Sequence, residues 1–232
     1  MYLRKWEALP EWMKTPEVRE YYDILKRRKI SLALKRGFDI VASFILLVIL
    51  AVPMLVIALF IIADSPGGAI YRQERITSYG KKFRIYKFRT MVSGADKIGT
   101  QVTADHDSRI TKIGKKLRNR RLDELPQLLN VLAGQMSFVG TRPEATKYVK
   151  QYTNEMFATL LLPAGITSEA SIRYKDEAKL LNQAEDVDRV YVEQILPEKM
   201  KYNLASIRKF SFIGEVATMF RTVFAVLGKD YE

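Results

Sequence analysis

The sequence predicts an α+β fold, mainly α, in which a re-entrant membrane helix hairpin, a small β-hairpin and interfacial amphipathic helices surround a site at the membrane surface. Three observations predict this fold. Residues 40–63 carry no formal charge and form a run long enough to enter a bilayer. Residues 82–91 alternate basic and apolar side chains with a period of two, as half-buried strands do. Residues 207–227 mix apolar side chains with cations, as in a helix lying on a membrane, although a packed core helix fits the same pattern.

The apolar run predicts how the chain meets the membrane. As a straight helix it would span roughly 36 Å, enough to cross a hydrocarbon core of about 30 Å. Both of its flanks are rich in Lys and Arg, so the positive-inside rule places both on the cytoplasmic side. Pro53 lies near its middle and removes a backbone hydrogen bond. We therefore expect a re-entrant helix over about residues 38–64 with its break at Pro53; the alternative is a spanning helix that Pro53 kinks.

Composition narrows the partners and the chemistry. The 232 residues include 38 Lys and Arg against 26 Asp and Glu, a net charge of +12, which implies an anionic partner. Anionic phospholipids account for this excess, and the absence of a nucleic-acid-binding signature predicts no nucleic acid partner. The chain has no cysteine and a single histidine, His106, in a polar run. Disulfides and thiolate sites are thereby excluded, and neither a histidine metal centre nor a catalytic triad is expected.

The chain divides into two parts by composition. Residues 1–32 are predicted to be an N-terminal interfacial lead with a helix over residues 16–29, and residues 33–232 to form the remaining domain. Tyrosine and tryptophan prefer the boundary between lipid and water. The aromatic residues expected there are Trp6, Trp12, Tyr21 and Tyr22.

Adjacent carboxylates mark the candidate site. Asp123 and Glu124 follow a cluster of arginines and precede Pro126. We expect Pro126 to push Leu125 out of the helical region and to begin a helix whose free N–H groups lie beside the two acids. Such a place attracts phosphate and holds a carboxylate close enough to attack it. A solvated, inert acidic pair is the alternative for the dipeptide alone.

Six motifs occur in one order along the chain. They are residues 35–39, 71–75, 86–91, 109–114, 122–132 and 136–144. In this order they resemble the bacterial sugar transferase family, the monotopic polyprenyl-phosphate phosphoglycosyl transferases, in their small form without extra transmembrane helices. The resemblance covers roughly residues 33–227, and its Asp-Glu and Arg-Pro blocks are specific.

The resemblance implies an activity and a location. It implies transfer of a sugar 1-phosphate from a UDP-sugar to undecaprenyl phosphate with release of UMP, through a covalent aspartyl-phosphosugar intermediate and with the help of Mg²⁺. This would be the first membrane step of surface polysaccharide or glycoconjugate assembly. The implied location is the bacterial cytoplasmic membrane, with the active site on its cytoplasmic face. A homodimer is left open, and a catalytically idle membrane scaffold for glycan-assembly enzymes is the alternative function.

The family's functional residues transfer to matching positions of this sequence. By resemblance, Asp123 is the nucleophile and Glu124 its partner, and both are the implied Mg²⁺ ligands. The implied substrate-binding residues are Lys87, Arg89, Arg118, Arg142, Pro143, Arg173, Lys175 and Asp188, where either Arg173 or Lys175 takes the place of one family arginine. The chain departs from the family pattern where Val52 precedes Pro53 instead of serine, and where Thr141 precedes Arg142 instead of proline.

The chemistry implied for the pair has a physical basis. A diphosphate is anionic and repels a carboxylate nucleophile, so the site must neutralise charge first. Four positive groups can neutralise the diphosphate charge: Lys87, Arg118, Arg142 and a Mg²⁺ ion held by one or two carboxylates. No motif in the sequence indicates which sugar is transferred.

Overall fold

The computed structural model describes residues 3–95, 107–174 and 186–226. The helices are α1 (Pro16–Arg27), α2 (Lys29–Asp64), α3 (Lys112–Asn119), α4 (Gln127–Leu132), α5 (Thr146–Val149), α6 (Glu169–Arg173), α7 (Val187–Val190), α8 (Leu196–Arg208) and α9 (Phe212–Val226). The strands are β1 (Ile70–Ile76), β2 (Lys82–Phe88), β3 (Met136–Val139) and β4 (Ala164–Thr167). Short 3-10 turns include Leu122–Glu124 and Met156–Leu161, and a π-helical turn, Tyr191–Ile195, joins α7 to α8. The described part of the chain is thus mainly helical with little strand, as predicted.

Helix α2 contains the predicted apolar run and continues through Pro53. Within the described ranges it is the one helix long and apolar enough to cross a membrane, with a mean hydropathy of 3.4 in its most apolar window. Much of its surface is uncovered: Val48 is 63% exposed and Val52 69%. A stripe that includes Leu50 and Met54 packs against the rest of the molecule. The apolar helix is therefore present, but the expected break at Pro53 is not, since the helix runs from Lys29 to Asp64 without interruption. Apolar helices tolerate a proline when the rest of their backbone hydrogen bonds are kept.

The N-terminal part of α2 is bound to the folded body by polar contacts. The guanidinium of Arg36 donates to the carbonyl oxygens of Val131 (2.7 Å) and Leu132 (2.9 Å), at the end of α4. The carboxylate of Asp39 accepts from the Phe138 N–H at 3.2 Å, in β3. Because α4 lies on α2 beside these bonds, this end of the helix is fixed against α4 and β3.

The C-terminal end of α2 is bound to the same body. Arg89, 7% exposed, donates to the carbonyl oxygens of Ile61 (3.2 Å) and Ser65 (2.7 Å), at the C-terminal end of the helix. The carboxylate of Asp64 accepts from the N–H of Ile113 at 3.1 Å, in the first turn of α3. Both ends of the apolar helix are therefore held by one globular unit.

The predicted β-hairpin is confirmed. Strands β1 and β2 pair antiparallel, with Ile70 opposite Phe88 and Ile76 opposite Lys82. The alternation of β2 buries Phe83 and Ile85 against α4 while their neighbours face outward. Lys87 belongs to the same face as those two residues, so the strand directs one cation inward.

A second, parallel pair of strands was not predicted. Strands β3 and β4 pair with Met136 opposite Ala164 and Val139 opposite Thr167. Directly after β3, the backbone of Gly140 crosses close to Gly165 of β4: a Cβ on Gly165 would lie 2.2 Å from the Gly140 nitrogen. Only glycine fits at such a contact. This close contact fixes the position of the backbone at Gly140, and the segment that follows carries Arg142.

The N-terminal lead shares the main core. Tyr21 is 1% exposed and Tyr22 is 4% exposed, so the expectation that they lie at a lipid interface is wrong for both. Their hydroxyls find partners inside the protein, Glu155 for Tyr21 and the Arg4 carbonyl for Tyr22, which allows the rings to be buried. Trp12, by contrast, is partly exposed.

Helix α9 occupies the predicted amphipathic segment. Its outer face exposes Ile213 and Phe220, while Met219 packs toward the core beside β3. The carboxylate of Glu215 is ion-paired with the buried Lys35 of α2, and Lys35 also donates to the Val139 carbonyl at 2.7 Å. Helix α9 is therefore docked on α2 and β3 and leaves one apolar face uncovered.

Candidate active site

The acidic pair lies on a tight turn between α3 and α4. Helix α3 ends at Asn119, and Arg121 adopts the left-handed conformation (φ 56°, ψ 19°), which reverses the chain. The next three residues form a 3-10 turn that places Asp123 and Glu124 inside the protein, each 8% exposed. The pair is therefore not a solvated surface dipeptide.

The structure corrects the expectation for the proline. Leu125 is helical (φ −53°, ψ −39°), so Pro126 does not push it out of that region. The Leu125 N–H donates to the Leu122 carbonyl, and the Leu128 N–H donates to the Leu125 carbonyl, so hydrogen bonds continue through the proline into α4. The pre-proline preference is a local bias that these bonds overcome. The chain instead breaks at Arg121, and α4 begins at Gln127.

Glu124 is held between two cations. Its Oε1 lies 2.5 Å from Nη2 of Arg142 and 3.3 Å from Nζ of Lys87. Burial disfavours the charged carboxylate, but Arg142 and Lys87 outweigh burial and keep the pKa of Glu124 well below its usual range. Burial also lowers the pKa of Lys87, and Glu124 opposes that shift. Glu124 is thus a fixed anion that gathers two cations at the site.

Asp123 differs from its neighbour. Its carboxylate accepts no hydrogen bond from any residue in the described ranges. Burial raises the pKa of Asp123, while Lys87 lowers it and the adjacent Glu124 raises it. The carboxylate therefore lies in a cationic environment but has lone pairs that no donor occupies, as a nucleophile or a ligand requires.

Arg118 adds a third cation beside the pair. It lies in the last turn of α3, and its Nη1 is buried without a hydrogen-bond partner in the described part of the chain. Burial lowers the pKa of Arg118, and the charge of Asp123 opposes that shift. Arg118 therefore adds positive charge next to Asp123.

The donor set is suited to a magnesium ion. No group of three or more His, Asp or Glu that could hold a metal occurs in residues 3–95, 107–174 and 186–226. Mg²⁺ in proteins uses one or two carboxylates and takes its other ligands from water and substrate phosphates. Asp123 has open lone pairs, and Oε2 of Glu124 has one long contact, 3.5 Å to Arg142 Nη1. Two carboxylates with unused oxygens fit that chemistry.

For Arg89 and Pro143 the structure shows surroundings other than a contact with the acidic pair. Arg89 caps the end of α2, and its hydrogen bonds go to carbonyl oxygens there and to Ser93. These are contacts of a helix cap rather than of a substrate ligand. Pro143 is buried directly after Arg142 and stiffens the segment that presents this arginine.

The described residues among the other predicted site residues contact groups outside the acidic pair. Asp188 pairs with Lys147 at 2.8 Å and accepts from the Tyr148 hydroxyl at 2.5 Å, in a surface cluster. Arg173 stacks over Tyr202 and is 3.7 Å from Glu169. Lys175 lies outside the described residues, as does His106.

Sequence reasoning missed the polar residues that support the pair. Asn130 is fully buried; its amide donates to the Arg84 carbonyl at 2.9 Å and accepts from the Tyr86 N–H at 3.0 Å. It thus fixes α4, which follows the acidic turn, to β2, which carries Lys87. The signal was an asparagine among leucines and valines on a helix. Glu144, which accepts from the Tyr191 hydroxyl at 2.6 Å, anchors the chain after Arg142 in a similar way.

A sequence profile described as bacterial sugar transferase matches residues 30–229, which include every element of this site. The chain belongs to the bacterial sugar transferase family. The resemblance inferred from the six motifs is confirmed, and the match begins near the start of α2 and extends past the end of α9. The family therefore includes the apolar helix, the acidic turn and the amphipathic helix in one unit.

Named relatives indicate the chemistry of similar proteins. This family member is 34% identical over 198 residues to the UDP-N-acetylgalactosamine-undecaprenyl-phosphate N-acetylgalactosaminephosphotransferase of Aeromonas hydrophila, covering 84% of this chain and 44% of that protein. It is 37% identical over 196 residues to the UDP-glucose:undecaprenyl-phosphate glucose-1-phosphate transferase of Escherichia coli K12, covering 82% and 39%. A Caulobacter vibrioides protein of that same name is 34% identical over 199 residues, covering 84% and 70%. The chain spans less than half of the first two relatives.

Proposed function

We propose that the chain is a membrane-associated phosphoglycosyl transferase that moves a sugar 1-phosphate from a UDP-sugar to undecaprenyl phosphate and releases UMP. The observation that carries this proposal is a buried acidic pair in which Glu124 is fixed by Lys87 and Arg142 while Asp123 keeps unused lone pairs. The names of the relatives support the two substrate classes. Such a transfer would be the first membrane step in building a surface polysaccharide or glycoconjugate.

The first half-reaction uses Asp123 as nucleophile. One carboxylate oxygen attacks the phosphorus that bears the sugar, a new O–P bond forms, and the bond from that phosphorus to the bridging oxygen of UMP breaks. UMP leaves with the electron pair of that bond. Arg118, Lys87 and Arg142 stabilise the negative charge on the phosphoryl oxygens, so the anionic nucleophile can approach.

The second half-reaction returns the enzyme to its starting state. A phosphate oxygen of undecaprenyl phosphate attacks the phosphorus of the aspartyl adduct, and the Asp123 O–P bond breaks. The lipid-linked diphosphate sugar leaves, and the carboxylate is restored. Because the two phosphorylated substrates react in turn, one cationic pocket is enough for both.

The carboxylates of Asp123 and Glu124 are the residues that would hold Mg²⁺. When bound, the ion supplies positive charge beside the diphosphate and orients its oxygens. Glu124 contributes a carboxylate that stays ionised, because Arg142 and Lys87 depress its pKa. Removal of divalent ions by a chelator is expected to suppress UMP release, and added Mg²⁺ to restore it.

A re-entrant arrangement of α2 is part of this proposal. Arg36 binds one end of the helix to α4, and Arg89 binds the other end next to β2. Strand β2 and α4 contact each other through Asn130. Because both ends of α2 are bound to the same globular unit, they are more easily placed on one side of a bilayer than on opposite sides. The cations of both flanks favour the cytoplasmic side.

Anionic phospholipids are the proposed surface partner. The exposed cations where α1 ends and α2 begins would lie at headgroup height, each contributing on the order of 1 kcal/mol of attraction; they are Lys26, Arg27, Arg28 and Lys29. The uncovered apolar face of α9, which includes Ile213 and Phe220, would enter the same interface. The acidic turn then lies where a lipid-linked phosphate can reach it.

The experiment that tests this function is a UDP-sugar screen with the purified chain in lipid nanodiscs that contain undecaprenyl phosphate. Release of UMP from at least one UDP-sugar is expected, and Asp123→Asn should abolish it. A catalytically idle scaffold would release no UMP with any donor. The screen also identifies the sugar.

A further inference from the structure

The first residue of α4 has a buried amide without a partner. Gln127 is 1% exposed, and its Nε2 has no hydrogen-bond partner within the described ranges. Buried amide N–H groups are almost always paired, because leaving one unpaired is costly. The two half-reactions proposed above do not use the Gln127 side chain, so they do not explain why its amide is left unpaired.

The fold places this amide beside the acidic pair. One turn further along α4, Asn130 binds the backbone of β2 at Arg84 and Tyr86. One turn earlier, Glu124 contacts Lys87 of the same strand. Gln127 lies between these two contacts and on the face that β2 covers.

The helix geometry gives the direction of the side chain. Residues 125 and 126 are helical, so the backbone between the pair and Gln127 has no break. A side chain on such a backbone leans toward the helix N-terminus and covers the residues three and four positions earlier. For Gln127 these residues are Glu124 and Asp123.

One acceptor on that turn is available. The Glu124 carboxylate already accepts from Arg142 and Lys87. The Asp123 carboxylate accepts from no described residue, although it lies on the same turn. The Gln127 Nε2 is inaccessible to solvent, and therefore to an incoming substrate, so its partner must come from within the protein.

We propose that Gln127 is a positioning residue for Asp123. In the reactive rotamer of Asp123, the Gln127 Nε2–H donates to one carboxylate oxygen and leaves the other oxygen directed at the phosphorus. The two groups are an unpaired donor and an unpaired acceptor one turn apart, and a rotation of the aspartate side chain pairs them. This inference rests on the proposed function, since it assigns Gln127 a part in the first half-reaction.

The test compares adduct formation and stability in Gln127→Leu, which keeps the approximate shape and removes the amide. In single turnover with a UDP-sugar accepted by the wild-type chain, the rate of aspartyl adduct formation should fall about 10- to 100-fold, the size of a lost orientation effect. The KM for the UDP-sugar should stay within about twofold, because Gln127 does not touch substrate. The melting temperature should be unchanged or higher, because a buried unpaired donor is removed.

Asn130→Leu is the matched control. It removes a buried amide on the same face of α4, but the Asn130 amide has hydrogen-bond partners, so this variant should have a lower melting temperature. The inference is overturned if Gln127→Leu forms the adduct at the wild-type rate, or if only KM rises. It is also overturned if Gln127→Leu melts as early as Asn130→Leu and loses activity in proportion to unfolding. If the wild-type chain itself forms no adduct with any UDP-sugar, the proposed function fails instead.

Discussion

Nη2 of Arg142 lies 2.5 Å from Oε1 of Glu124, and this contact joins the segment after β3 to the acidic turn. Both side chains are distant in sequence from Lys87, which approaches the same oxygen. A carboxylate that binds two cations fixes the positions of both. Glu124 is therefore best understood as the residue that arranges positive charge around its neighbour.

Replacing Arg142 is expected to affect the chemical step. Arg142→Lys keeps the positive charge but loses the planar guanidinium that spans both oxygens of Glu124. Arg142→Ala loses the charge as well as the planar group. We expect Arg142→Ala to lower kcat about 10²- to 10³-fold, the usual effect of removing one charge-stabilising donor, and Arg142→Lys to fall between. UMP release measures both. Equal activity of Arg142→Ala and wild type would contradict this role.

Asn130 is expected to contribute strongly to stability. Asn130→Leu would leave the Tyr86 N–H and the Arg84 carbonyl without their present partner in a buried location. The free energy of unfolding should fall by on the order of 2–4 kcal/mol, since each buried unsatisfied group costs about 1–3 kcal/mol. Denaturant unfolding in detergent measures this, with the exposed substitution Leu129→Ala as control. A loss below about 0.5 kcal/mol, the size of an ordinary surface effect, would contradict the assignment.

Gly165 is expected to tolerate no side chain. A Cβ there would approach the Gly140 nitrogen to 2.2 Å and its carbonyl oxygen to 2.3 Å, and both atoms belong to backbone that cannot rotate away. Gly165→Ala should therefore destabilise the fold by about 1–3 kcal/mol, as overpacking does. Gly68→Ala is the matched control, because a Cβ at Gly68 would meet nothing within 4 Å. Similar melting temperatures for the two variants would refute the close crossing.

The re-entrant arrangement of α2 predicts that its two flanks lie on one side of the membrane. Single cysteines can be introduced at the exposed positions Leu34 and Arg72, because the chain has no cysteine of its own. In sealed inside-out vesicles an impermeant maleimide should label both, and in right-side-out vesicles neither. Val48→Cys, within the apolar run, should resist labelling in both preparations. Labelling of Leu34→Cys and Arg72→Cys from opposite sides would show a spanning helix.

The sequence predicted the features that have a strong local signal. The uncharged run of α2 and the period-two alternation of β2 are direct consequences of what each element buries, and both are present. The acidic pair was identified because its neighbours are cations. These predictions needed no knowledge of distant contacts.

Other features depend on contacts that a sequence does not display. Leu125 stays helical because hydrogen bonds on both sides of Pro126 continue the turn, whereas the sequence shows only the bias of the pre-proline position. Strands β3 and β4 are four residues each and pair across a long separation, so neither has a period to detect. Tyr21 and Tyr22 are buried because Glu155 and a backbone carbonyl accept from their hydroxyls.

The covalent role of Asp123 is the central claim, and intact-mass spectrometry tests it most directly. Incubation of the chain with an accepted UDP-sugar, without undecaprenyl phosphate, should yield a protein species heavier by one sugar phosphate. Asp123→Asn should form none, while wild type chased with undecaprenyl phosphate should return to its original mass. If wild type releases UMP only when undecaprenyl phosphate is present and never shows the heavier species, the transfer is direct and the assignment of Asp123 as nucleophile is wrong.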